Sequence, residues 1–184
     1  MFPWQSGSSG QEETQTLHLN PKSGKWGPDL SPNQRHISLA VAYNTWKYFS
    51  DTHDINFMQD YGAEMLFEIA NFWSSISKFN KKREKFEISG VMGPNEFHEK
   101  IPGKKEPGLK NNAYTNIMVS WVLKKALILF EILDKKTISE IKTRINLTDK
   151  EIQRWEKISN NLYIDIKDGI ISQYEGFLEL KEID

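Results

Sequence analysis

The sequence predicts a mainly all-α protein, an arc of inner and outer helices of the kind that builds an α/α barrel. Three observations carry that prediction. Segments 33–50 and 113–133 are apolar on nearly every side, and a helix of that composition must be covered all round. Segment 54–76 instead carries a one-sided stripe, so it backs a core with one face. Long stretches without helical periodicity join them, which suits wrapped helices alternating with outer ones. Five helices can be read, too few to close a toroid, and an unclosed arc leaves apolar flanks exposed.

Taken in order, residues 1–32 form a loop segment of active-site type. Ser6-Gly-Ser-Ser-Gly10 has the composition of a linker, and Pro21, Gly24, Gly27, Pro28 and Pro32 punctuate the stretch after it. Structureless loops of this length inside a domain usually serve function, the alternative being an N-terminal tail. A helix pair fills 33–79. Ile37, Leu39, Val41, Tyr43, Trp46 and Phe49 ring the first helix; Asp54 caps the second, whose stripe is Met58, Tyr61, Met65, Ile69, Phe72, Trp73 and Ile76. Residues 80–112 read as a long loop with a short strand at Phe86-Glu-Ile88. The remaining segment, 113–184, opens with the second wrapped helix. Thr137-Ile-Ser-Glu140 and Thr148-Asp-Lys-Glu151 each spell a capping box. Short extended pieces around Asp168-Gly169 end the chain.

Composition narrows the function. Of 184 residues 38% are hydrophobic and 12% aromatic, enough for a core and too many for disorder. Lys and Arg number 24 against 25 Asp and Glu, a net charge of −1, and the longest basic cluster, Lys81-Lys-Arg83, cannot track a nucleic-acid backbone. Absence of Cys excludes disulfides, thiolate metal sites and Cys nucleophiles, and fits a cytoplasmic setting. The start, Met-Phe-Pro-Trp, has no secretory pattern. Lys124 and Lys125 sit mid-way in the most apolar stretch, where each would cost about 3 kcal/mol in a bilayer, so no membrane span is expected.

The chemistry-bearing text is the loop Gly90-Val-Met-Gly-Pro-Asn-Glu-Phe-His-Glu-Lys100. Glu96 lies beside Phe97, and a carboxylic acid against aromatic walls keeps its proton by desolvation, as a general acid must at neutral pH. By spacing alone a polar turn fits equally well. His18, His36, His53 and His98 are scattered and lack zinc spacing, so no metal is expected. Neither a P-loop nor a nucleophile elbow is present. Trp4 and Trp26 lie in loops and suit sugar stacking, whereas Trp46 and Trp73 fall on helical stripes and belong to the core.

Four motifs then point to a family. Phe2-Pro-Trp-Gln-Ser-Gly-Ser-Ser-Gly-Gln-Glu-Glu-Thr14, Gln34-Arg-His-Ile37, Val91-Met-Gly-Pro-Asn-Glu-Phe-His-Glu99 and Asn111-Asn-Ala-Tyr-Thr-Asn116 resemble, in the same order, the central catalytic domain of glycoside hydrolase family 65. Asn95 and Phe97 stand where that family commonly has Asp and Tyr. The resemblance implies part of an (α/α)6 barrel and an inverting cleavage of glucose disaccharides such as trehalose, kojibiose or maltose. It implies that Glu96 protonates the leaving oxygen and that inorganic phosphate is the nucleophile in phosphorylases, with no cofactor. In hydrolases of the family a second carboxylate activates water. Trp4 is expected as a stacking wall, with Glu12, His36 and Asn112 as sugar contacts; loop-fixing hydrogen bonds are the alternative for these. The family's β-sandwich, first barrel helices and phosphate segments have no counterpart here. The chain alone is therefore expected to be inactive, and to pair with missing barrel segments or with a second copy. A non-catalytic helical remnant is the reading from another class.

Overall fold

The computed structural model describes residues 1–95, 98–101 and 103–181. Its helices are α1 (Ile37–Thr52), α2 (Ile55–Phe57), α3 (Ala63–Ile76), α4 (Ala113–Ile132), α5 (Lys135–Arg144) and α6 (Asp149–Asn161). A π-helical turn, Met58–Gly62, splices α2 to α3, so the described residues make five α-helical rods. Eight short strands pair as four two-stranded antiparallel ribbons: β1 (Leu17–Asn20) with β2 (Lys25–Pro28), β3 (Lys78–Asn80) with β4 (Lys85–Glu87), β5 (Ser89–Val91) with β6 (Leu109–Lys110), and β7 (Ile166–Lys167) with β8 (Ile170–Ile171). The fold is mainly helical, as the periodicity predicts.

At the centre lies α3, packed by α1, α4 and α6. Phe67 stacks on Phe130 of α4 at 5.0 Å and tilts against Trp155 of α6 at 5.8 Å. Trp73 and Trp155 are fully buried with Leu39, Leu66, Leu123 and Ile158 around them. Arg154 closes the end of α3, its Nη2 donating to the carbonyls of Ser77 (2.6 Å) and Ser74 (3.2 Å), where the helix dipole is negative. The expected stripe holds at Met58, Ile69 and Trp73, all buried, and at Met65, Phe72 and Ile76, which pack against the core, while Tyr61 is exposed. Leu66, Phe67 and Ala70 are buried as well, so the covered face of α3 is wider than one stripe.

Helix ends obey side-chain chemistry. Asp54 Oδ1 accepts from Phe57 N–H, and Thr148 with Glu151 forms the expected capping box. The box predicted at Thr137–Glu140 does not form. Asp134 caps α5 instead, accepting from the N–H groups of Lys136 and Thr137 and from the Thr137 hydroxyl. A carboxylate with three donors within reach outcompetes a hydroxyl three residues on. The N-terminal segment is more ordered than its composition suggests. β1–β2 and β3–β4 close in the same way: Asn20 and Asn80 each accept two loop N–H groups through Oδ1, and the last loop residue, Gly24 or Glu84, turns left-handed. Asp168-Gly169 turns the β7–β8 hairpin with both residues at positive φ. Among the described residues no helix is long and apolar enough to cross a membrane.

Candidate functional site

Met92, just after β5, docks on the N-terminal segment ahead of α1. Met92 N–H donates to the Asn33 carbonyl at 2.9 Å, and Phe2 N–H donates to Ser38 Oγ at 3.1 Å, bringing both segments to the start of α1. Between them opens a cleft of about 460 Å³ lined by Trp4, His18, Gln34, Met92, Pro94 and Glu99. Glu96 and Phe97 lie outside the described residues. A larger hollow, about 760 Å³, lies between the end of α4 and the α5–α6 turn and includes none of the expected site residues.

The other predicted residues fall into two groups. Trp4 and His36 come together, ring centroids 6.0 Å apart, and Tyr114 meets His36 edge-on at 6.1 Å. Trp4 borders the cleft; His36 is buried behind it with Nδ1 unpartnered. Burial pushes the His36 imidazolium pKa down, against a weaker opposing backbone hydrogen bond at Met92. The imidazole at neutral pH is therefore uncharged. Glu12 clamps the backbone: Oε2 accepts from Trp4 N–H (2.9 Å), and Oε1 from Gln5 N–H (3.1 Å), Thr14 N–H (3.2 Å) and the Thr14 hydroxyl. Partial burial raises its pKa, but the Thr14 hydroxyl and these N–H groups together overcome that and hold it low. Glu12 thus fixes the loop that presents Trp4.

Asn112 caps α4 through Oδ1, which accepts from Thr115 N–H and hydroxyl, both at 3.0 Å, while Nδ2 donates to the Gln173 carbonyl at 3.2 Å. A Cβ on Gly93 would come within 2.5 Å of that Nδ2, so only glycine lets the loop lie against the α4 start. Asn111 and Asn116, buried beside it, tie further strands in. Asn111 accepts from Ile88 N–H and donates to Glu175; Asn116 donates to the Tyr163 carbonyl at 2.7 Å. The Asn-rich motif is therefore a polar junction joining β4–β5, α4 and the C-terminal segment.

Periodicity and spacing gave no sign of the charges beneath this junction. Glu175 accepts from Arg83 (2.7 Å) and pairs with Lys110 (3.1 Å), and Glu87 meets the same two cations at 2.8 and 3.3 Å. Burial raises the Glu175 pKa, yet Arg83, Asn111 and Lys110 more than reverse this and bring it to about 2. His18 and Glu99 are also cleft residues that sequence patterning did not select for a role; Asp29 stands 3.9 Å from His18. Among the described residues no three His, Asp or Glu side chains are placed to hold a metal ion.

Comparison with known proteins agrees with the motifs. The model of the glycosyl hydrolase family 65 central catalytic domain matches residues 1–184. An uncharacterized glycosyl hydrolase of Mycobacterium tuberculosis is 45% identical over 184 residues, covering 100% of this chain and 14% of the relative. Trehalose 6-phosphate phosphorylase of Lactococcus lactis is 39% identical over 100% of this chain and 22% of its own length. Kojibiose phosphorylase of Thermoanaerobacter brockii is 35% identical over 98% of the chain and 23% of the enzyme. A solved structure from the human microbiome, provisionally assigned as a kojibiose phosphorylase, superposes with a TM-score of 0.67 at 29% identity, over 80% of this chain and 20% of that one. The chain thus spans less than a quarter of the length of each relative described here.

Proposed function

Because the chain belongs to glycosyl hydrolase family 65, we propose that it is the acid-bearing part of an inverting α-glucoside phosphorylase, a cytoplasmic enzyme that cleaves a glucose disaccharide with phosphate. The observation that supports this most directly is the cleft, which Trp4 lines together with Pro94 and Glu99 of the motif loop. In this reading Glu96 gives its proton to the glycosidic oxygen. Phosphate attacks the anomeric carbon from the opposite face as the C–O bond breaks, leaving a β-sugar phosphate and a free sugar. Phosphate is already an anion, so no protein base is needed, and no metal or cofactor enters. Trp4 serves as a wall for the apolar face of a sugar, with the neutral His36 behind it. Glu12 and Asn112 act by holding the loops that frame the cleft.

Both phosphorylase relatives favour phosphorolysis, and the Mycobacterium relative, a glycosyl hydrolase by description, keeps hydrolysis as the second reading. A product assay with and without phosphate separates them: sugar phosphate against free glucose alone. The chain spans 14–23% of these relatives, so the activity proposed belongs to a barrel completed by further helices, and these 184 residues alone should lack it. Loss of orientation among reactants forfeits roughly 7–11 kcal/mol of barrier reduction.

The acid assignment is tested by Glu96→Gln in a completed barrel. Cleavage of an ordinary disaccharide should fall by about 10²–10⁴-fold, whereas a glucosyl fluoride, which needs little protonation to leave, should be largely spared. Glu99→Gln is the control, since Glu99 lines the same cleft. Equal loss on both substrates in Glu96→Gln, or the selective loss appearing only in Glu99→Gln, defeats the assignment.

A further inference from the structure

The residues on either side of Glu96-Phe97 are held by one short stretch of the C-terminal segment. Asn95 Nδ2 donates to Gln173 Oε1 at 2.9 Å. On the other side, His98 packs edge-on against Tyr174 at 5.4 Å and tilts against Phe177 at 6.3 Å. The stretch is itself fixed. The Gln173 carbonyl accepts from Ala113 N–H (2.9 Å) and Asn112 Nδ2 (3.2 Å), Glu175 N–H donates to the Lys110 carbonyl (3.0 Å), and the buried Ser172 hydroxyl donates to the Tyr174 carbonyl (2.6 Å). Next along the chain, Glu175 is pinned by Arg83, Lys110 and Asn111. Gln173 is the member with a backbone locked to α4 and a side chain reaching the motif loop.

We propose that Gln173 is a positioning residue for the acid loop: its backbone is fastened to the start of α4, and its amide oxygen holds Asn95, the residue before Glu96 in the chain. This rests on Glu96 being the general acid. The bond is side chain to side chain, so removing it leaves the backbone ties of the strap in place. That separates positioning from mere folding. Asn95, where the family commonly has Asp, is a donor for this bond, and Gln173 supplies the matching acceptor.

The test uses two variants. Gln173→Met keeps length and volume without an acceptor, and Gln173→Glu keeps an acceptor oxygen. In a hybrid with these 184 residues replacing the matching segment of the Thermoanaerobacter brockii enzyme, Gln173→Met should lower kcat on the disaccharide roughly fivefold to tenfold, the size of one neutral hydrogen bond. KM and glucosyl fluoride turnover should be unchanged, and Gln173→Glu should retain most of the rate. In the 184-residue chain itself, amide exchange at 98–101 should quicken in Gln173→Met while amides of α3 and α6 stay as they are. Unchanged kcat, or equal loss on both substrates, overturns the inference, as does unaltered exchange at 98–101 should the hybrid not fold. Glu96→Gln in the same hybrid is the separate check: if it shows no selective loss, the acid assignment falls, and the exchange data still judge whether Gln173 orders the loop.

Discussion

Glu175 shows how one residue can govern a junction without touching a substrate. Its two oxygens answer Arg83, Lys110 and Asn111, and its side chain keeps only 24% of its surface exposed. With a folded-state pKa of about 2 against an ordinary 4.5, its contribution is fully present above about pH 4.5 and is lost as pH falls toward 2. A displacement of that size corresponds to stabilisation on the order of 3 kcal/mol. Chemical denaturation from pH 2 to 6 should show Glu175→Gln less stable than the native chain above pH 4.5, with the gap closing on acidification. A pH-independent gap would mean that Glu175 acts through packing alone. Nothing in the sequence marked this residue, since its partners lie 92 and 65 positions away and charge pairing over such separations has no periodic signature. The loop position of Trp4 was legible because it is a local property, whereas Asn112, expected as a sugar contact, is buried as the cap of α4. The internal work of Glu12, by contrast, depends on a loop bending back over eight residues.

At the scale of elements, legibility obeyed the same rule. The wrapped and striped helices were readable because burial repeats along them, and Asp54 and Thr148 were readable because a cap reaches only three residues. The strand at Phe86-Glu-Ile88 and the extended pieces around Asp168-Gly169 were readable, and what escaped were the β1–β2 and β5–β6 ribbons, each too short to show alternation, and the π-helical turn. The two Thr-x-x-Glu sequences offer a direct comparison. Thr148 Oγ1 accepts from Glu151 N–H at 3.3 Å and the Glu151 carboxylate accepts from Thr148 N–H at 2.8 Å, whereas Thr137 sits inside α5 and leaves capping to Asp134. Thr148→Ala should therefore cost about 1 kcal/mol, and Glu140→Gln, outside any cap, should cost far less. Thermal melts of the two variants check this; equal losses would mean that the α6 cap contributes nothing of its own. Gly108 is a sharper constraint, because at φ +86° its Cβ would lie within 2.7 Å of the Gly90 and Val91 backbone, and any other residue would force β5 from β6.

For the whole molecule the decisive quantity is surface. A compact monomer of 21.4 kDa exposes roughly 9,100 Å², while this chain exposes 11,700 Å². Part of the excess is apolar and falls on the two helices whose sequences were greasy all round. Tyr43 and Tyr48 on α1, and Tyr114, Ile117 and Ile132 on α4, are each more than a third exposed. Tyr43 lies 5.7 Å from Trp121, and Lys125 sits over Trp46 at 4.5 Å, so the α1–α4 face is a continuous aromatic band with one cation set into it. α3 shows the opposite outcome: α1, α4 and α6 all cover it, and its apolar residues are satisfied within the chain. The all-round hydrophobicity of α1 and α4 thus has only half its explanation in these 184 residues. In the proposed enzyme, further barrel helices or a second copy would cover the other half. Purified alone, the chain should expose that band, bind a hydrophobic dye and associate at micromolar concentration. Tyr43→Lys with Ile117→Lys, both exposed and peripheral to the α3 core, should reduce dye binding and association without lowering the melting temperature by more than a few degrees. Sedimentation of the native chain as a dye-silent monomer, or a pair of lysines that leaves association untouched, would show that this face is complete as it stands.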